Sequence, residues 1–183
     1  IGSATAEALL KAGHSVTVYD SLITGHRAAV PNGAIFIHAD LSDSHTLVET
    51  FTKNKSDAVM HFAAFIEAGE SMKDPARFYQ NNFTNALALI ETAVRAGVTR
   101  FVLSSTAAVF HSSDEPLTEE SPLGPTNVYG HTKLMVEQAL DTSDEVDPKG
   151  QIENAEAALY RVAEEGGGEG SVKSFAQATR MAV

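Results

Sequence analysis

Short apolar runs alternate along this chain with longer stretches in which apolar residues recur every three or four positions. The first pattern predicts buried strands and the second amphipathic helices. Residues 3–12 read as a helix, with Leu9 and Leu10 apolar and Gly13 as its stop. Residues 15–20 form a strand ending in Asp20, and residues 34–38 a second strand followed by Asp40 and Leu41. Residues 44–54 are helical, residues 57–62 a third strand, and Ala63 and Ala64 follow it. A long helix is predicted from about Pro75 to Arg95, stopping at Gly97, and residues 100–104 are a fourth strand. A loop from Pro116 to Thr126 carries three prolines. Asn127 or Thr126 then caps a helix bearing Tyr129 and Lys133.

Strands alternating with helices at this spacing predict an α/β fold with a parallel, doubly wound sheet. Ligands of such sheets bind beyond the carboxyl ends of the strands. Asp20, Asp40, Ala63-Ala64 and Ser104 to Thr106 all fall at those ends, so one shared edge is the expected site. The composition changes after Leu140. Asp141 to Pro148 reads as an acidic linker, residues 151–165 as an amphipathic helix, and Gly166 to Gly170 as a flexible break. The expected division is therefore residues 1–140 and an acidic helical tail, 141–183.

A net charge of −11 argues against a direct nucleic-acid partner. With no Cys there is no disulfide framework and no thiolate metal site, which fits a cytoplasmic location. No apolar run approaches the ~20 residues of a membrane span, and no signal peptide is visible.

Tyr129 and Lys133 stand four apart, on one helix face. A nearby ammonium favours a phenolate, which makes Tyr129 a candidate general base for a sugar hydroxyl. Ser104, Ser105 and Thr106 put hydroxyls at a strand end, where one can bond the reacting hydroxyl or serve only as a polar turn. Asp20 sits where a dinucleotide fold holds the adenosine ribose; a carboxylate there favours NAD over NADP. Gly2 stands where the last glycine of a G-x-x-G-x-x-G loop allows close helix packing. Asp40, with Leu41, would flank the adenine, or else cap the next helix. Asn81 and Asn82 are poor helix residues inside the long helix; a cofactor contact or a later helix start would account for them. The His residues lack metal-binding spacing, and His61 on an apolar strand reads as a core residue.

These segments, in order, resemble the UDP-glucose 4-epimerase family of the extended short-chain dehydrogenases. The matching stretches are Ile1-Gly-Ser, Val18-Tyr-Asp20, His61 to Ser71, Phe78-Tyr-Gln-Asn-Asn82, Phe101 to Val109 and Tyr129-Gly-His-Thr-Lys133 on to Glu137. The resemblance covers residues 1–140 and implies a Rossmann-like NAD-binding domain of an isomerase in galactose metabolism. It implies that Tyr129 takes the proton of the sugar 4-hydroxyl of UDP-glucose or UDP-galactose, and that C4 is transiently oxidised by NAD. Lys133 would tune Tyr129 and hold the nicotinamide ribose, and Thr106 would bond the sugar hydroxyl. Gly2, Asp20, Asp40, Leu41, Ala63, Ala64, Asn81 and Ser104 would contact the cofactor. The related 4,6-dehydratases carry Asp-Glu after that Thr; Ala107-Ala108 stand here instead, which favours epimerase chemistry. A homodimer through helices that include the one bearing Tyr129 is also implied.

Against the family pattern, the first strand and the head of the glycine loop are not in this sequence, and no sugar-nucleotide domain follows Leu140. Little or no turnover is expected of this chain. Residues 141–183 resemble instead the linker of the bacterial replicative DNA helicase. That resemblance supports an alternative: a non-enzymatic composite whose tail helix, with Ile152, Leu159 and Val162 on one face, makes helicase-like protein contacts.

Overall fold

The computed structural model describes the backbone of residues 1–146 and side chains up to Asp141, so the tail helix and the Gly166–Gly170 run lie outside the described residues. Helix α1 (Gly2–Lys11) is rich in Ala and Leu and ends where Gly13 turns the chain at φ 90°. Strand β1 (Thr17–Asp20) leads through a 3₁₀ turn at Arg27–Ala29 to β2 (Ile35–His38). Helix α2 (Ser44–Asn54) is capped by Asp43, whose carboxylate accepts the Thr46 amide at 3.0 Å. Then follow β3 (Ala58–His61), α3 (Ala68–Lys73), α4 (Pro75–Phe78), α5 (Asn85–Arg95), β4 (Arg100–Leu103) and α6 (Val128–Val146).

The strands pair in parallel, β1 with β2 from Thr17↔Ile35 to Asp20↔His38, and β3 with β4 from Ala58↔Arg100 to His61↔Leu103. Fold class and strand direction are thus as the alternation predicts. The pairs form two separate two-stranded sheets, in keeping with a doubly wound sheet that lacks its first strand. No described strand lies between β1 and β3, and a strand can extend a sheet only through an edge that finds a partner.

One core nevertheless joins the two sheets. Leu47 and Phe51 of α2 meet Leu89, Ile90 and Ala93 of α5, Phe101 and Leu103 of β4, and Val136 and Leu140 of α6. Tyr19 of β1 and Val59 of β3 pack against this same cluster. Burying each large apolar side chain contributes roughly 1.5–3 kcal/mol, so this layer dominates the stability of the described region.

Three sequence expectations change. The long helix over 75–95 is broken into α4, a π-helical turn at Tyr79–Thr84, and α5. Helix α3 was not expected, since its Gly69 and polar residues mask any helical period. Helix α6 runs past Leu140 to Val146, into residues read from the sequence as linker.

Candidate functional site

The start of α6 is held from several sides. Asn127 is the cap, its Oδ1 accepting the Gly130 amide at 2.8 Å, which resolves the choice between Asn127 and Thr126. The fully buried Ser71 of α3 donates to the Ala68 carbonyl at 2.6 Å and accepts the Tyr129 amide at 3.1 Å. The Thr132 hydroxyl donates to the Tyr129 carbonyl at 2.7 Å. Gly130 lets α6 lie directly on the turn after β4. A Cβ there would run into the Ala108 carbonyl and come within 3.0 Å of Pro125. The backbone beneath Tyr129 is therefore fixed, while its side chain stays partly exposed.

That turn is a 3₁₀ helix at Ala107–Val109 capped by Thr106, whose Oγ1 accepts the Ala108 amide at 3.2 Å. The Thr106 hydroxyl keeps its proton to donate. Ser104, just before, carries the parallel ladder on by donating its amide to the His61 carbonyl at 3.1 Å. The Ser105 Oγ is buried without a well-formed hydrogen bond and faces the Glu137 carboxyl, whose pKa burial pushes up and Ser105 partly draws back.

Lys133 is only 3% exposed. Burial lowers its pKa to about 8, opposed by the Glu137 carboxylate one turn along α6. His61, at the end of β3, is likewise buried and lies edge-on to Phe101 with ring centroids 6.3 Å apart. Burial first, and Lys133 second, hold His61 down at about 3, so it is the neutral core histidine that its strand position predicts.

Asp20 ends β1 with its carboxylate inside a tight loop. Its Oδ1 accepts the Leu22 amide at 2.7 Å, Leu22 takes φ 57°, and a Cβ at Gly25 would lie 3.1 Å from that oxygen. The Asp40 carboxylate is engaged locally, accepting the Ser42 amide at 2.9 Å and the Ser42 hydroxyl at 2.7 Å. The helix cap, the other role expected of Asp40, belongs to Asp43. The Leu41 side chain packs on the core. The Tyr19 hydroxyl donates to the Asp40 carbonyl at 3.0 Å, and its pKa is pushed up to about 12 by burial and then by Asp43 and Asp40. Gly2 lies against Phe62, where an added Cβ would make ordinary contact at 3.4 Å.

The two asparagines divide the work. Asn82 is 2% exposed and makes four hydrogen bonds. Its Oδ1 accepts from the Phe65 amide at 2.8 Å and from Asn81 at 2.9 Å; its Nδ2 donates to the Phe65 carbonyl at 2.9 Å and to Thr132 at 3.2 Å. Asn82 thereby ties α6 to the segment carrying Ala63 and Ala64. The misplaced polar pair was visible in the sequence, but the buried member is Asn82 rather than Asn81. Ser71, Thr132 and Gly130 carried no signal of their own.

Thr106, Tyr129 and Lys133 therefore gather at the carboxyl end of the β3–β4 pair, and Asp20 and Asp40 at that of the β1–β2 pair. A family model described as NAD dependent epimerase/dehydratase matches residues 1–147. The chain belongs to that family. The UDP-glucose 4-epimerase of Lacticaseibacillus casei is 43% identical over 145 residues, covering 79% of this chain and 44% of that protein. Among solved structures, the UDP-Glc/GlcNAc 4-epimerase of Campylobacter jejuni superposes with a TM-score of 0.80 at 38% identity, over 84% of this chain and 48% of that one. The UDP-glucose 4-epimerase of Brucella ovis, in complex with NAD, gives 0.78 at 36% identity, over 84% and 47%. The chain spans under half the length of these relatives, and its described part has their Rossmann-like α/β fold.

Proposed function

We propose that this chain is the cofactor-binding part of a UDP-glucose 4-epimerase-type isomerase, interconverting UDP-glucose and UDP-galactose through transient oxidation at C4. The observation that carries this reading is the packing of α6 on the Thr106 turn, which brings the Tyr129–Lys133 helix to a strand end lined with hydroxyls. Family membership and the names of the relatives support the same substrate class.

The residues present suit NAD. Asp20 has one oxygen engaged with Leu22 and its other oxygen without a hydrogen bond among the described residues, an acceptor fit for ribose hydroxyls. Lys133 is a buried cation beside Tyr129 on the same helix face. Bound NAD would supply the hydride acceptor and donor for C4 of the sugar. Tyr129 takes the 4-hydroxyl proton and gives it back, while Lys133 favours the phenolate and holds the nicotinamide ribose. Thr106 donates its remaining proton to the reacting oxygen. Ser104, Ala63, Ala64 and Asn81 border the cofactor, with Asn82 fixing the loop they share. Ala107 and Ala108 offer no acid or base for eliminating water, which favours epimerisation over dehydration. Association into a homodimer through helices that include α6 belongs to the same reading.

Calorimetry with NAD and NADP on the whole chain tests it. Micromolar NAD binding is expected, with NADP excluded. Asp20→Asn keeps an oxygen for the Leu22 amide but loses the charge, so it should weaken NAD and narrow the preference over NADP. Unchanged affinity for both would remove the cofactor reading. Turnover by this chain alone is expected to be slight, so the matching test of the chemistry is slow reduction of bound NAD by UDP-glucose, abolished in Tyr129→Phe; an unaffected Tyr129→Phe would sink it.

A further inference from the structure

Tyr129, Lys133 and Glu137 stand four apart along α6, so one helix face carries the three in a row. The first two have roles in the proposed chemistry, and Glu137 has none. Its side chain is nevertheless half-buried, against the turn that follows β4. In that turn the Ser105 Oγ is buried and makes no hydrogen bond of good geometry among the described residues. Buried hydroxyls are almost always satisfied, and the Glu137 carboxylate is the acceptor that faces this one. Ser105 thereby holds the Glu137 carboxylate at the strand end that also carries Ser104 and Thr106.

Charge gives this placement its consequence. Lys133 is 3% exposed, and Glu137 is the anion that offsets the burial of its ammonium. His61 of β3 meets Lys133 and stays neutral at physiological pH, so it offers no compensation. Asp141, farther along α6, and Glu119, in the loop before it, act on Glu137 and strengthen its hold on a proton. No carboxylate forms a direct ion pair with Lys133 among the described residues. An ammonium has three N–H groups, and a carboxylate in contact with it would occupy at least one. An anion one helical turn away supplies charge and leaves those donors for a phenolate and a ribose. We propose that Glu137, held by Ser105, is a positioning residue that keeps the Lys133 ammonium charged and its N–H groups free beside Tyr129. This rests on the reading of Tyr129 and Lys133 as the reacting pair.

The test is an NMR titration of the full chain without cofactor, following the Lys133 ε-carbon and the Glu137 δ-carbon. Glu137→Gln keeps an oxygen for the Ser105 hydroxyl and removes the charge. In that variant Lys133 is expected to bind its proton about threefold or more weakly. Ser105→Ala should make Glu137 bind its proton about twofold or more tightly. In wild type the Glu137 signal should show a second step where Lys133 titrates, because coupled groups appear in each other's curves. This last measurement needs no variant. With NAD and UDP-glucose added, the alkaline limb of the slow reduction should move to lower pH in Glu137→Gln. An unchanged Lys133 titration in a folded Glu137→Gln chain, or a wild-type Glu137 signal without the second step, would overturn the proposal. So would an equal loss of rate at every pH, which would make Glu137 a packing residue only. Absence of NAD reduction in wild type would count against the proposed function alone, since the titrations decide on Glu137 without it.

Discussion

At the residue scale, the site rests on a charge held where water cannot reach it. Lys133 titrates at about 8 in the folded chain against 10.5 as a free side chain. Between those values the unfolded chain holds the proton and the folded chain does not, so stability should rise as pH climbs from about 8 to 10.5. Below about 8 both states are protonated and the full cost of burying the ammonium applies. Lys133→Met removes this linkage, and a rise on the order of 3 kcal/mol in wild type should be missing from the variant. Denaturant titrations of both proteins across that window check it; parallel curves would mean that Lys133 is hydrated. The places of Lys133, Thr106 and Asp20 at strand and helix ends were legible from the sequence, because helix period and strand ends fix them. Asn82 was half legible, since its polarity looked wrong in a helix while burial, which chose it over Asn81, depends on Phe65 and Thr132 far along the chain.

Among the elements, α6 matters most, and its position depends on a missing side chain. Gly130 sits against the Ala108 carbonyl, so Gly130→Ala must push α6 off the Thr106 turn. A loss of roughly 1–3 kcal/mol is expected, despite the better helix propensity of Ala, because overpacking outweighs propensity at a closed contact. Thermal or urea unfolding measures it, and a variant as stable as wild type would mean that the helix shifts freely. The four strands and helices α1, α2 and α6 could be read from hydrophobic period and stop signals. The π-helical turn could not, because it arises from Asn82 reaching across to Phe65 rather than from any local pattern. Helix α3 was invisible for a related reason: its anchor, Ser71, serves the distant Tyr129 amide.

For the whole molecule, two sheets share one hydrophobic layer. Neither pair has a core of its own, so the described region should unfold as one cooperative unit. Near- and far-ultraviolet circular dichroism through a guanidinium titration should give coincident curves; separated midpoints would mean that the pairs melt independently. The parallel strand direction was legible from the alternation of strands and helices, and the split into two pairs from the lack of a first strand in this sequence. The same pairing has a kinetic consequence. Thr17 meets Ile35, and Ala58 meets Arg100, so each ladder closes a short stretch of chain. Loop-closure entropy grows by only about 0.6 kcal/mol per doubling of length, so the longer stretch adds little to the barrier. The helical layer of α2, α5 and α6 joins residues farther apart in the chain than either ladder does, so its assembly, rather than ladder formation, is expected to set the folding rate.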